Sequence, residues 1–182
     1  RLIKKFNLQS SDKLIDIATG TGDVVFSMYK KFENVLVGLD IAEKMIVLAK
    51  KKQDKRGLSS KDISFIQGDA ESLPIDNNSI DVITIAYGIR NLSNFKNALS
   101  EFNRVLKPGG TLSILEFSQS QSKLFSACFN IYFHKILPKI GAWLSGSNAY
   151  NYLPESVSEF MTRNELINLM TSAGFNNCYI KD

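Results

Sequence analysis

A chain of 182 residues, 44% apolar and 22% charged, has the length and make-up of one globular domain of ordinary size. Its 22 basic and 18 acidic residues leave a formal charge of only +4, a modest surplus that argues against a nucleic-acid partner, and no run approaches the roughly 18 apolar residues of a membrane span. One histidine excludes a histidine-rich metal site, and Cys128 and Cys178 lack metal-ligand spacing, so no metal and two reduced thiols in a reducing compartment are expected. The start Arg1-Leu2-Ile3-Lys4-Lys5 runs into polar residues and does not read as a secretion signal.

In chain order, residues 14–18 read as strand one and 23–32 as a helix. Residues 35–39 form a buried strand two that ends at Asp40, and 42–52 form a second helix with Met45, Leu48 and Ala49 on one face. The run Lys50-Lys51-Lys52 with Lys55-Arg56 reads as a solvated helix end. Strand three covers 63–66 and strand four 81–85. A helix over 94–105 stops at Lys107-Pro108-Gly109-Gly110, a Pro-Gly turn, before strand five at 111–117. A late helix over 164–172 ends at Gly174, and 175–180 read as strand six. This alternation predicts an α/β, Rossmann-like, doubly wound and mostly parallel sheet. Residues 119–163 interrupt it. There Phe125, Phe129, Tyr132, Phe133, Ile136 and Leu137 recur at helical spacing. That helix can pack on the core, cap the crevice against a greasy substrate, or do both.

The chemistry concentrates at four corners, each at the carboxyl end of a strand, where open α/β sheets bind ligands. The first is Asp16-Ile17-Ala18-Thr19-Gly20-Thr21-Gly22-Asp23, a strand running through Gly-x-Gly into a helix. It fails as a dinucleotide fingerprint, because the third glycine position holds Val25. Asp16 would repel a pyrophosphate but suits the ammonium and sulfonium of S-adenosylmethionine (SAM). The second corner is Asp40, roughly 20 residues on, the spacing at which an acid holds ribose hydroxyls; it could equally cap the next helix. The third is Asp69-Ala70, where Asp69 can accept from an adenine amino group and Ala70 can pack on the ring. The fourth is Ile85-Ala86-Tyr87-Gly88, facing the transferred group.

The motifs Gly68-Asp69-Ala70-Glu71-Ser72-Leu73-Pro74, Tyr87-Gly88-Ile89-Arg90-Asn91, Arg104-Val105-Leu106-Lys107-Pro108-Gly109-Gly110, Leu115-Glu116-Phe117-Ser118 and Phe133-His134-Lys135-Ile136-Leu137-Pro138 join the glycine turn in spanning nearly the whole chain. Together they resemble the class I SAM-dependent methyltransferases, and more closely the ubiquinone/menaquinone biosynthesis C-methyltransferases. The glycine loop and the Lys-Pro-Gly-Gly turn are widely shared. Tyr-Gly-Ile-Arg-Asn and Phe-His-x-x-Leu-Pro are far more specific.

The resemblance implies SAM as cofactor, held by Asp16, Gly20, Thr21, Gly22, Asp40, Ile41, Asp69, Ala70 and Ala86. It implies methylation of a ring carbon of a prenylated hydroquinone, with Tyr87, Arg90, Asn91 and His134 at the substrate. The bland alternatives are an ion pair from Arg90 to an acid such as Glu116, and a structural His134 within its aromatic helix. A lipid-soluble substrate implies peripheral contact with an inner membrane, from the cytoplasm or an organelle matrix, and a homo-oligomer or a quinone-biosynthesis complex is a further expectation. Nucleic-acid methylation is disfavoured: the corner after strand four lacks an Asn/Asp-Pro-Pro-aromatic grip, and neither cysteine stands near it. An inactive partner subunit of the same fold, or a methyltransferase of another small molecule, is the alternative.

Two positions depart from the family's pattern. Ala18 stands where many methyltransferases have glycine, and Ala86 where some relatives have serine. The chain is expected to be one domain, 1–182, with a cap over 119–163, trimmed of the family's amino-terminal segment and last strand.

Overall fold

The computed structural model describes residues 8–9, 11–32, 35–116 and 160–181. The chain divides into two compact units, Arg1–Glu116 with Leu169–Cys178, and Phe117–Asn168 with Tyr179–Asp182. The helix predicted over 125–137, with His134 and most of the 119–163 insertion, lies outside the described residues.

The first unit is built on five parallel strands: β1 (Lys13–Ile17), β2 (Val35–Asp40), β3 (Ile63–Gln67), β4 (Ile80–Ala86) and β5 (Leu106–Leu115). Their order is β3-β2-β1-β4-β5. The winding therefore reverses between β1 and β4, and the carboxyl ends of those two strands mark the switch point at which open α/β sheets bind ligands. Helices α1 (Asp23–Phe32), α2 (Glu43–Lys55) and α3 (Phe95–Val105) connect the strands. β1, β2 and β4 are mostly buried apolar runs, as strands covered on both faces are, whereas β5 is longer and only partly buried.

On one face, Leu14, Leu36, Ile63 and Val82 cluster with Val25, Phe26 and Met28 of α1 and Ile46 and Ala49 of α2. Phe65 belongs to this cluster and meets Phe26 edge-on, with 5.5 Å between ring centroids. A Cβ added to Gly22 or to Gly38 would sit 2.6 Å from the Phe65 ring, so both glycines are packing requirements. Helix α3 buries Ala98, Leu99, Phe102 and Val105, and its first turn is capped by Asn94, whose side chain accepts from the Asn97 N–H.

Three expectations need correction. The inward face of α2 is Ile46, Ala49 and Gln53, whereas Met45 and Leu48 are exposed. Gln53 can go inside because its amide donates to the Ile63 and Ser59 carbonyls at 2.9 and 3.2 Å. The Pro-Gly turn at 107–110 falls within β5 and not before it: Leu106 pairs with Ile80 and Thr111 with Val82, so the residues between bulge from the ladder, with Gly109 at φ 82°. Lys107 closes it by an ion pair to Asp81 at 2.7 Å. Finally, residues 175–180 form no strand. Asn177 has φ 56°, which interrupts an extended run, and Tyr179 and Ile180 are exposed.

The helix expected over 164–172 is present as α4 (Arg163–Ser172). Its start is a capping box: the Glu165 carboxylate accepts from the Thr162 N–H at 2.7 Å, and the Glu165 N–H donates to the Thr162 hydroxyl at 3.4 Å.

Candidate cofactor and substrate site

One row of residues crosses the sheet at its carboxyl end. In register it reads Phe65, Gly38, Asp16, Thr84 and Ser113. Asp16 stands in the centre of this row and is 2% exposed. The Thr84 hydroxyl donates to it at 2.5 Å. Burial pushes the Asp16 carboxyl up to about 6; the Thr84 hydroxyl pulls it back, and the nearby charge of Asp40 adds to the rise. Thr84 is a residue that the sequence reading passed over. Its signal was a lone hydroxyl inside the apolar run Val82-Ile83-Thr84-Ile85.

After β1 the chain turns sharply. Ala18, Gly20 and Gly22 all have positive φ, at 52°, 55° and 82°. Gly20 has open space where a Cβ would stand, with nothing within 4 Å. Asp40 holds this turn from β2. One carboxylate oxygen accepts the Gly20 N–H at 2.7 Å, and the other accepts the Ala42 N–H at 2.9 Å, ahead of α2. Asp40 is not the N-cap of α2, which is Ala42 and has no side-chain cap bond; it accepts the Ala42 N–H from the end of β2 while it faces the glycine turn. An ionised carboxylate has about four acceptor positions, so these two bonds do not exhaust it. Beside it Ile41 is 68% exposed, an apolar side chain turned to solvent.

Thr21 has its hydroxyl engaged elsewhere. It donates to Asp23 at 3.1 Å and accepts from the Lys52 ammonium at 2.6 Å. Lys52 also pairs with Asp23 at 3.0 Å, so the last turn of α2 is tied to the first residue of α1. Lys52 is thus a strap on the glycine turn and not simply a solvated charge.

The third corner is joined to the second by the Gly68 N–H, which donates to the Asp40 carbonyl at 3.0 Å. Asp69 is exposed and accepts from the Glu71 N–H at 2.8 Å, while Ala70 is buried. Glu71, which sequence reasoning did not single out, bridges to the fourth corner. One of its oxygens accepts from the N–H groups of both Ser93 and Asn94, each at 2.8 Å.

The fourth corner is a turn and a short 3-10 helix, Ile89–Asn91, after β4. Tyr87 has φ 57°, a left-handed backbone that costs a non-glycine residue about 1 kcal/mol or more. Its N–H donates to the Leu115 carbonyl at 2.8 Å, which anchors the turn to β5. Gly88 is required here, because a Cβ would collide with Ala18. The two strained residues, Ala18 and Tyr87, thus lie at adjoining turns at the switch point between β1 and β4. Ala86 ends β4 partly buried, and Tyr87 and Asn91 are exposed. Arg90 is different: its side chain is 4% exposed and forms a salt bridge with Glu116, itself 5% exposed.

A profile of the ubiE/COQ5 methyltransferase family matches residues 1–182. The chain belongs to the ubiE/COQ5 methyltransferase family. Relatives agree. The chain is 42% identical over 172 residues to a demethylmenaquinone methyltransferase of Deinococcus radiodurans, covering 93% of this chain and 70% of that protein. It is 37% identical over 182 residues to the ubiquinone/menaquinone biosynthesis C-methyltransferase UbiE of Geobacter sulfurreducens, covering 99% and 71%. The fold is also that of phosphoethanolamine N-methyltransferase 2 of Haemonchus contortus in complex with S-adenosyl-L-methionine. That likeness has a TM-score of 0.70 at 18% identity, over 97% of this chain and 36% of the other. As a member of this family the protein is a methyltransferase with the class I fold, and its relatives are named for C-methylation in quinone biosynthesis, which leaves the inactive-subunit alternative unfavoured.

Proposed function

We propose that this protein methylates a ring carbon of a prenylated hydroquinone, demethylmenaquinol or the methoxy-benzoquinol precursor of ubiquinol, with SAM as methyl donor. The observation that carries the reading is the junction of an acid-and-glycine corner with the Tyr87–Asn91 turn at the point where the sheet reverses. Three features fit SAM. Gly20 leaves open space where any other residue would place a Cβ. Asp40 keeps acceptor capacity toward that space, which suits ribose hydroxyls. Asp16 is a buried carboxylate that gains from a nearby cation. Ile41 and Ala70 would flank the adenine, with Asp69 at its amino group, and Ala86 would lie at the methyl end.

When bound, SAM supplies an electrophilic methyl group on a positively charged sulfur. The chain's own residues must make the ring carbon nucleophilic. Arg90 does this by stabilising negative charge on the hydroquinone oxygen, which pushes electron density onto the ortho carbon. Asn91 and Tyr87, both exposed on the same turn, orient the ring. Arg90 stays protonated and cannot take the ring proton. His134, outside the described residues, is the candidate acceptor by its ordinary pKa. Because the substrate is lipid-soluble, the protein works against a membrane surface; among the described residues no helix is long and apolar enough to cross one. The aromatic segment 125–137 is the proposed route for the prenyl tail.

The test is incubation of the protein with methyl-labelled SAM and each reduced, demethylated quinol. Label in the ring methyl of either quinol supports the reading. SAM binding without transfer to either would overturn it.

A further inference from the structure

We propose that Glu116 is a positioning residue for Arg90, and that this pair fixes the substrate turn for catalysis. The inference rests on the reading above, in which Arg90 faces the hydroquinone oxygen. An arginine on a short 3-10 turn has a long, flexible arm and no reason to hold one direction. Here its guanidinium is bound by a carboxylate from the residue just after β5, and both side chains are almost wholly buried. A guanidinium carries five N–H donors in a single plane. The Glu116 carboxylate holds one terminal nitrogen and so anchors that end of the guanidinium beside it.

A second tie runs in parallel. The Leu115 carbonyl accepts the N–H of Tyr87, so Leu115, the last residue of β5, and Glu116, the residue after it, grip both ends of the segment from Tyr87 to Arg90. From the opposite side, Glu71 accepts from Ser93 and Asn94 directly beyond the 3-10 helix. The turn is strained at Tyr87 and would relax if released. A buried ion pair is poor evidence for stability, because apolar residues of similar size often stabilise as well or better. Its cost is justified here by direction: it holds a permanent cation at a set place on the turn after β4. Glu116 then acts on the reaction through Arg90 without touching substrate.

The experiment is a mutant cycle on the full chain with Glu116→Gln, Arg90→Lys and the double variant. Each is measured for SAM affinity by calorimetry and for kcat and KM with the quinol that the native protein turns over. Glu116→Gln is expected to lower kcat tenfold or more while SAM affinity stays within about twofold. The double variant is expected to be no slower than Arg90→Lys alone, since Glu116 has nothing left to position. If Glu116→Gln does not fold, Glu116→Asp keeps the charge and shortens the arm; it should show the same loss of kcat. Unchanged kcat in whichever variant folds makes the pair purely structural and overturns the proposal, as does full additivity in the cycle. A native protein that methylates neither quinol overturns the functional reading first and this proposal with it.

Discussion

Asp16 shows what a single buried carboxylate implies for stability and for binding. Its pKa is near 6 in the native state against 3.8 for an unperturbed aspartate. Below about pH 3.8 it is protonated in both states and contributes nothing. Between there and pH 6 the native state keeps a proton that the unfolded chain has lost, so stability falls as the pH rises through that window. Above pH 6 the penalty is complete, on the order of 3 kcal/mol. Asp16→Asn keeps an acceptor for the Thr84 hydroxyl and removes that penalty. It should melt several degrees higher than the native protein at pH 7.5, with the gap closing toward pH 4. Equal melting curves at pH 7.5 would refute this account of the site. The same charge should aid a cationic ligand, so SAM affinity should weaken between pH 7.5 and pH 5 in the native protein and much less in the variant.

Asp40 makes the companion case. Asp40→Ala removes the acceptor of the Gly20 and Ala42 N–H groups and the proposed ribose contact together. Calorimetry should show SAM bound at least tenfold more weakly, about 1.5–3 kcal/mol for lost bonds to a charged group. Unchanged affinity would remove Asp40 from the site. Arg90→Ala, by contrast, is not a clean probe of catalysis. It leaves Glu116 buried without its cation, a loss of about 3–5 kcal/mol in stability for pairs of this kind.

Among the elements, the strands and helices that position the site were legible because each carries its own punctuation. The glycine turn, Asp40 at the end of β2, and Asn94 before α3 all mark boundaries that the structure respects within a few residues. The inward face of α2 was not legible. Apolar periodicity favours Met45 and Leu48, but a glutamine can be turned inward when carbonyls need donors, and those carbonyls lie in the connection to β3 and on β3 itself, beyond the helix. Gln53→Ala should therefore destabilise by about 1–3 kcal/mol, as a buried polar contact and not a surface one. Urea denaturation checks this; a change under 0.5 kcal/mol would mean that water replaces the amide at no cost. Residues 175–180 failed for the converse reason. Their composition suits a strand, yet composition carries no partner, and Asn177 turns the backbone away. Glu71 was not singled out and Lys52 reads in sequence as a solvated charge, because a clamp is defined by what it reaches, 22 and 31 residues away in sequence.

For the whole molecule, the strand order decides where chemistry can occur. Four corners separated in sequence meet only because the sheet reverses between β1 and β4. They are wired together through backbone groups: Gly20 to Asp40, Asp40 to Gly68, Glu71 to Ser93 and Asn94, and Tyr87 to Leu115. A ligand that binds at this switch point should therefore stabilise the fold as a unit. At SAM concentrations about 100 times the dissociation constant, mass action gives roughly 2.7 kcal/mol. A thermal shift of several degrees is expected for the native protein, and about half of it or less for Asp40→Ala at the same concentration, which is then only about 10 times the weakened dissociation constant. A native protein whose melting is indifferent to SAM would contradict the cofactor assignment.

The ring of Phe65 lies where a Cβ on Gly22 would have to go, while nothing lies before Gly20. The two glycines of one signature thus answer to different kinds of selection. A descendant that had lost its cofactor would still be held to glycine at position 22 by its own core. It would be free to drift at 20, where only the turn's left-handed backbone and the ligand resist a side chain. Under the proposed cofactor assignment, then, a glycine at 22 reports on the core alone, and glycine at 20 together with Asp16 and Asp40 would report on a retained cofactor site.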